Sequence, residues 1–83
     1  MVSAVVLVNT DLDAQNDVIE NLKRVDGVEE AHALYGVYDV LVKVRASSID
    51  DVKNITRSKI KQVSGVTSSL TLMIDDHKNS MRY

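Results

Sequence analysis

Leu22-x-x-Val25-x-Gly27-Val28 and Ile60-x-x-Val63-x-Gly65-Val66 are the same short pattern written twice, 38 residues apart. The same shift pairs Val2, Ala4, Val6 and Val8 with Val40, Val42, Val44 and Ala46, so two copies of one unit make up most of the chain. Within the first copy, Met1 to Val8 is short, Val-rich and bounded by Asn9-Thr10-Asp11, which predicts a strand. Ala14, Val18, Leu22 and Val25 recur at spacings of 4, 4 and 3 and fall on one helical stripe. Gly27 is expected to close that helix in the left-handed conformation, with Lys23 and Arg24 in the last turn suiting the negative end of its dipole. Glu29 to Tyr35 then returns as a second strand.

The second copy repeats the order. Tyr38 to Arg45 reads as a strand, Ser48 to about Val63 as a helix, Gly65 as its stop and Thr67 to Asp75 as the last strand. Ser48 followed three places later by Asp51 has the form of a capping box, and Val52, Ile55 and Ile60 supply the apolar stripe. Lys53, Arg57, Lys59 and Lys61 are left as a solvated face. The fold class is therefore α+β, a ferredoxin-like βαββαβ unit. Right-handed crossovers give a four-stranded antiparallel sheet of order 4-1-3-2 with both helices on one side. Residues 1–76 form the single domain and 77–83 a polar tail.

Composition agrees with a small globular domain. The 83 residues are 45% hydrophobic and 27% charged, with a net charge of −2, three Gly and no Pro. No Cys is present, which excludes disulfides, thiolate metal sites and a cysteine nucleophile. The longest apolar run, Ala4 to Val8, is far short of the roughly 20 residues that span a bilayer, and no basic leader precedes it. A cytoplasmic protein with no membrane partner is expected. The slightly acidic balance argues against direct nucleic-acid binding. Fourteen Val and five Ile, with neither Phe nor Trp, bury little area per side chain, so a lone copy is a marginal fold.

The strands also fail to alternate apolar with polar as a sheet covered on one side should. Val5 and Leu7 point away from Val2, Ala4, Val6 and Val8, and Leu41 lies with Lys43 opposite Val40, Val42 and Val44. Leu70, Leu72 and Ile74 are set against Ser69, Thr71 and Met73. Two helices cannot cover both faces. A patch of Val5, Leu7, Leu41, Ala33 and Met73, or its counterpart, is expected to be an interface, giving a homodimer in which the sheets meet.

Little in the chain offers reaction chemistry. His32 reads as a partly exposed strand residue, and Asp75-Asp76-His77 falls short of the three or four convergent ligands of a metal site. No phosphate-cradling or hydrolytic signature occurs, so no enzyme, cofactor or metal is expected. The one compact constellation is Tyr35-Gly36-Val37-Tyr38-Asp39, joining the second and third strands. Gly36 lets the backbone approach a ligand closely, exposed amides at such a turn bind carboxylates, and Asp39 matches an ammonium group. A zwitterionic amino acid fits that chemistry.

Val25-x-Gly27-Val28, then Gly36-x-Tyr38-Asp39 running into a Val-rich strand, then Val63-x-Gly65-Val66 and Ser69-x-Thr71 resembles the ligand-binding, or RAM, domain of the Lrp/AsnC transcription regulators over nearly the whole chain. Ser69 stands where that family usually has Thr, and Ser64 where Pro is common. The resemblance implies dimers formed through the sheet, rings of dimers that are commonly octamers, and amino-acid effectors bound at the strand 2 to strand 3 loop. Carried over, it implicates Gly36, Val37, Tyr38 and Asp39, with Ser69 and Thr71 as neighbours. Family regulators carry a helix-turn-helix domain ahead of this one. Here the first core strand begins at residue 2, so a stand-alone module is expected that senses a small effector, assembles, and acts with a full-length regulator. The alternative is a regulatory subunit of a metabolic enzyme, as ACT-like domains are; a small α+β barrel enzyme ranks last.

Overall fold

The computed structural model describes residues 1–74. Its elements run β1 (Val2–Thr10), α1 (Gln15–Leu22), β2 (Val28–Ala33), β3 (Val40–Ala46), α2 (Ile49–Asn54), a π-helical stretch (Ile55–Ile60) continuous with α2, and β4 (Val66–Met73). The sheet order β2-β3-β1-β4 is the expected 4-1-3-2 read from the other edge, and every neighbouring pair is antiparallel. β1 is the spine. Val8, Val6 and Ala4 pair with Val40, Val42 and Val44 on one side and with Ser69, Thr71 and Met73 on the other. Ala4, Val6, Val8, Val40, Val42 and Val44 are wholly shut from solvent in one cluster with Val18 and Leu22 of α1 and Val52 and Ile60 of the second helix. Both helices therefore lie on that face, and each buried Val contributes on the order of 1.5–3 kcal/mol.

The Val-x-Gly-Val motif has a different job from the one its position suggested. α1 stops at Leu22, and Lys23 lies just past its end instead of within the last turn. Gly27 is the third residue of a turn closed by the Val28 amide donating to the Val25 carbonyl at 3.1 Å, and Gly65 repeats this with Val66 and Val63 at 3.1 Å. Both glycines sit at φ +97°, the conformation such a turn requires at its third position. The motif thus encodes the turn into β2 and into β4, and the helices end before it.

These turns also lock the two halves together. A Cβ at Gly65 would lie 2.9 Å from Val18 Cγ2 of α1, and one at Gly27 would lie 2.5 Å from Ile55 Cδ1 of the π stretch. Each glycine admits the helix of the opposite copy. Its carbonyl is held there as well, by the amide of Asp11 for Gly65 and of Arg45 for Gly27.

At the second helix, Ser48 caps as expected by accepting from the Asp51 amide at 3.1 Å, while the Asp51 carboxylate takes the Ser47 hydroxyl at 2.7 Å. The expected stripe Val52, Ile55, Ile60 contains a gap of five, too wide for one face of an α-helix. The chain resolves it with π-type bonding, Lys61 N donating to Thr56 O at 3.1 Å, which lets Ile55, Thr56 and Ile60 all face the core. The buried Thr56 hydroxyl donates to the Val52 carbonyl at 3.0 Å.

The uncovered face differs in membership from the expected patch. Ala33 pairs with Val40 and Met73 with Ala4, so both belong to the helix side. Their places are taken by Leu70 and Leu72, which pair with Leu7 and Val5 and stand exposed. With Leu41, opposite Leu7, they form an apolar band over β1, β4 and the end of β3. Lys43, Glu30 and His32 fill the β2 side of the same face.

Candidate functional site

The turn between β2 and β3 is held at its base and open at its tip. Asp39 does the holding. Its Oδ2 accepts from the Thr10 amide at 2.8 Å, its own amide donates to the Val8 carbonyl at 2.9 Å, and its carbonyl accepts from Leu34 N at 2.9 Å and Gln15 Nε2 at 2.7 Å. One carboxylate oxygen is thereby engaged at the end of β1, so Asp39 positions the turn whatever else it binds. Thr10 and Gln15, which grip it, were not legible as site residues. In the sequence Thr10 only bounds the first strand, and Gln15 stands outside the apolar stripe of Ala14, Val18, Leu22 and Val25.

Above this base the turn rises clear of the protein. Tyr35 and Val37 are fully exposed, and Gly36 between them adopts φ +125° with open space where a Cβ would be. Tyr38 is half-buried. Gly36, Val37, Tyr38 and Asp39 are thus brought together at one end of the sheet.

Ser69 and Thr71 are not brought to them within one chain. They pair with Val8 and Val6, two strands from β3, and face the helix side. There they line a separate groove between β4 and the second helix.

Electrostatic perturbation is confined to the β2 edge. His32 Nε2–H donates to Glu30 Oε1 at 2.8 Å, and this bond holds the Glu30 carboxyl below the ordinary carboxylate range, with the Lys43 charge assisting. Among the described residues no group of three His, Cys, Asp or Glu could hold a metal ion, and no helix is long and apolar enough to cross a membrane. The Asp75-Asp76-His77 run lies outside the described residues.

The family model of the Lrp/AsnC ligand binding domain matches residues 3–81. The chain belongs to this family. An HTH-type transcriptional regulator of Pyrococcus horikoshii is 34% identical over 74 residues, 86% of this chain and 49% of the regulator. The Lrp/AsnC-type chain therefore spans about half the length of the regulators it matches. A hypothetical protein of Pyrococcus horikoshii is similar over its entire length, with TM-score 0.83, 29% identity and 99% of this chain covered. The fold also matches a transcriptional regulator of Neisseria meningitidis solved as a complex with L-Met, at TM-score 0.79 and 17% identity, over 89% of this chain and 49% of that one. Membership in this family supports a regulatory, effector-binding role.

Proposed function

We propose that this Lrp/AsnC-type domain binds an amino acid or similar small effector at the Gly36–Asp39 turn and couples that binding to assembly, acting on transcription together with a full-length regulator. The observation that carries the reading is the turn itself. Its base is fixed by four hydrogen bonds to Asp39, while Tyr35, Gly36 and Val37 are presented with nothing packed on them. A loop so anchored loses little entropy on meeting a ligand or a neighbouring subunit, and that favours binding. The L-Met complex of the Neisseria regulator of the same fold supports an amino acid as the effector class. Ser69 and Thr71, remote from the turn in one chain, join the site if a neighbouring subunit supplies them. The apolar band of Val5, Leu7, Leu41, Leu70 and Leu72 supplies a surface for a homodimer, and rings of dimers, octamers among them, follow from joining such dimers through further contacts.

Titration with the twenty amino acids, followed by amide NMR and by sedimentation, tests both halves. At least one amino acid should move the Gly36 and Val37 resonances, and the free protein should sediment as a dimer or larger at micromolar concentration. Leu72→Asp, which places a charge on the open face, should reduce it to a single-chain species. Silence of the turn towards all twenty would end the sensing reading, and a wild-type protein that sediments as one chain would end the assembly reading.

A further inference from the structure

The groove between β4 and the second helix has an electrostatic character that the sequence pattern alone disguised as a solvated helix face. It encloses about 330 Å³ and is lined by Lys53, Arg57 and Lys61 from the helix and by Ser69, Thr71 and Met73 from the strand. That volume is enough for a small metabolite. Three cations converge on it and no carboxylate lines it among the described residues. The ion pairs among those residues involve Lys23, His32, Lys43 and Arg45, and none involves Lys53, Arg57 or Lys61.

A second observation is independent of the charges. The Ser69 hydroxyl is closed off from solvent and has no hydrogen-bond partner among the described residues. Such a group lowers the stability of the unliganded fold, because its desolvation is uncompensated. A hydroxyl left unsatisfied beside a cationic groove is matched by an anionic oxygen, which would accept a hydrogen bond from it once a turn about χ1 exposes it, and would neutralise the row above it.

We infer that this groove holds the anionic oxygen group of a small, net negatively charged ligand, a carboxylate or a phosphate, between the Lys53, Arg57 and Lys61 side chains and the Ser69 hydroxyl. The inference rests on the effector-binding reading of Ser69 and Thr71 and deepens it by assigning that part of the site its ligand chemistry. A net anion is held there more strongly than a neutral zwitterion of the same size, whose ammonium group would enter a field already set by three cations.

The test uses the full chain with three probes, succinate, inorganic phosphate and L-leucine, read by amide NMR at Ser69 and Thr71. Succinate or phosphate should shift these amides at lower concentration than leucine does; response to one anion alone identifies carboxylate or phosphate as the source. Arg57→Gln, at an exposed position, should weaken anion binding about tenfold, and added salt should weaken it further. Ser69→Ala should weaken binding several-fold while raising the thermal midpoint of the unliganded protein, a combination that a merely structural hydroxyl cannot produce. Absence of shifts with both anions, equal response to leucine, unchanged affinity in Arg57→Gln, or a lowered midpoint in Ser69→Ala would each overturn the inference. Leucine moving Gly36 and Val37 while the groove stays silent to both anions would remove this inference and leave the amino-acid reading standing. Anion binding in the groove with all twenty amino acids silent at the turn would do the reverse.

Discussion

β2 and β4 hold the same place in the two repeats, each following a Val-x-Gly-Val turn and each ending as an outer strand, yet their chemistry is opposite. β2 carries Glu29, Glu30 and His32, and Glu29 reaches Lys43 at 3.9 Å and Arg45 at 3.6 Å on the adjoining strand. From Val66 to Ile74, β4 and its last neighbour contain no charged residue at all. Charges on an outer strand discourage pairing with other chains, and their absence leaves an edge open to it. The helices diverge in the same sense: the hollow beside α1 is lined by Asp11, Asp17 and Glu20 with Arg24, while the groove beside the second helix is lined by cations. Duplication kept the backbone plan of turn and strand, and the exposed surfaces took on separate tasks. The β2 half presents a charged edge, and the β4 half an uncharged edge beside a cationic groove.

The strongest way to break the idea that the two halves remain equivalent in backbone is to fill the two turn glycines. At φ +97° a side chain costs about 1–2 kcal/mol at either site before any contact is counted. The contacts then separate them. At Gly65 the obstacles are Val18 Cγ2 and Ala14 Cβ at 3.2 Å, a β-branched side chain and a methyl that cannot swing aside. At Gly27 the obstacle is the free end of Ile55. Gly65→Ala should therefore destabilise by about 2–4 kcal/mol and Gly27→Ala by about 1–2 kcal/mol less, as measured by urea unfolding. Equal losses, or the reverse order, would show that packing of the opposite helix does not set the cost.

That pair of glycines also marks what could be read from the letters alone. The repeat, the βαββαβ order and the strand order followed from them because Val2 to Val8 and Val40 to Ala46 keep an apolar residue at every second position, and the two Gly-Val turns punctuate both copies at the same spacing. The turn Gly36 to Asp39 stood out because it is the only Gly-bearing stretch outside the repeat pattern. Two things were hidden. Register decides which face a strand residue takes, and a strand such as Val66–Met73 with apolar and hydroxyl side chains mixed has no decisive alternation, so Leu70 and Leu72 exchanged faces with Ala33 and Met73 in the expected patch. The bond from Thr10 to Asp39 spans 29 residues, and no local pattern encodes such a contact.

A second, smaller comparison sharpens the division of labour. Thr10 and Ser48 are equivalent under the 38-residue shift. Ser48 uses its hydroxyl to cap α2, whereas Thr10 gives its amide at 2.8 Å and its hydroxyl at 3.5 Å to Asp39, and α1 has no side-chain cap at all. One position thus steadies a helix in the second copy and the β2–β3 turn in the first. Asp39→Ala should cost about 1–2 kcal/mol and broaden the amide resonances of Gly36 and Val37, since it strands a half-buried amide. Ser48→Ala should cost about 1 kcal/mol and leave those resonances untouched. Turn resonances that sharpen or stay constant in Asp39→Ala would show that the turn is held by its neighbours and not by this carboxylate.

The smallest effect tests whether the charged edge of β2 is more than decoration. Glu30 is exposed, and its carboxyl is held low first by the hydrogen bond from His32 and then by the Lys43 charge. A carboxyl whose folded value lies below its unfolded one adds stability above the unfolded value and loses it as pH falls through the folded value. The contribution of this pair is therefore complete at neutral pH and disappears only on acidification below the ordinary carboxylate range. Glu30→Gln should flatten the acid limb of the stability profile slightly and change nothing at neutral pH beyond the loss of one exposed contact. Carbon-detected NMR titration of the Glu30 side chain checks the cause directly: its midpoint should lie below the ordinary glutamate value and should rise in His32→Ala. A midpoint indifferent to His32 would mean that the edge is protected by charge density alone, and the contrast with β4 would then rest on Glu29 and its two bridges.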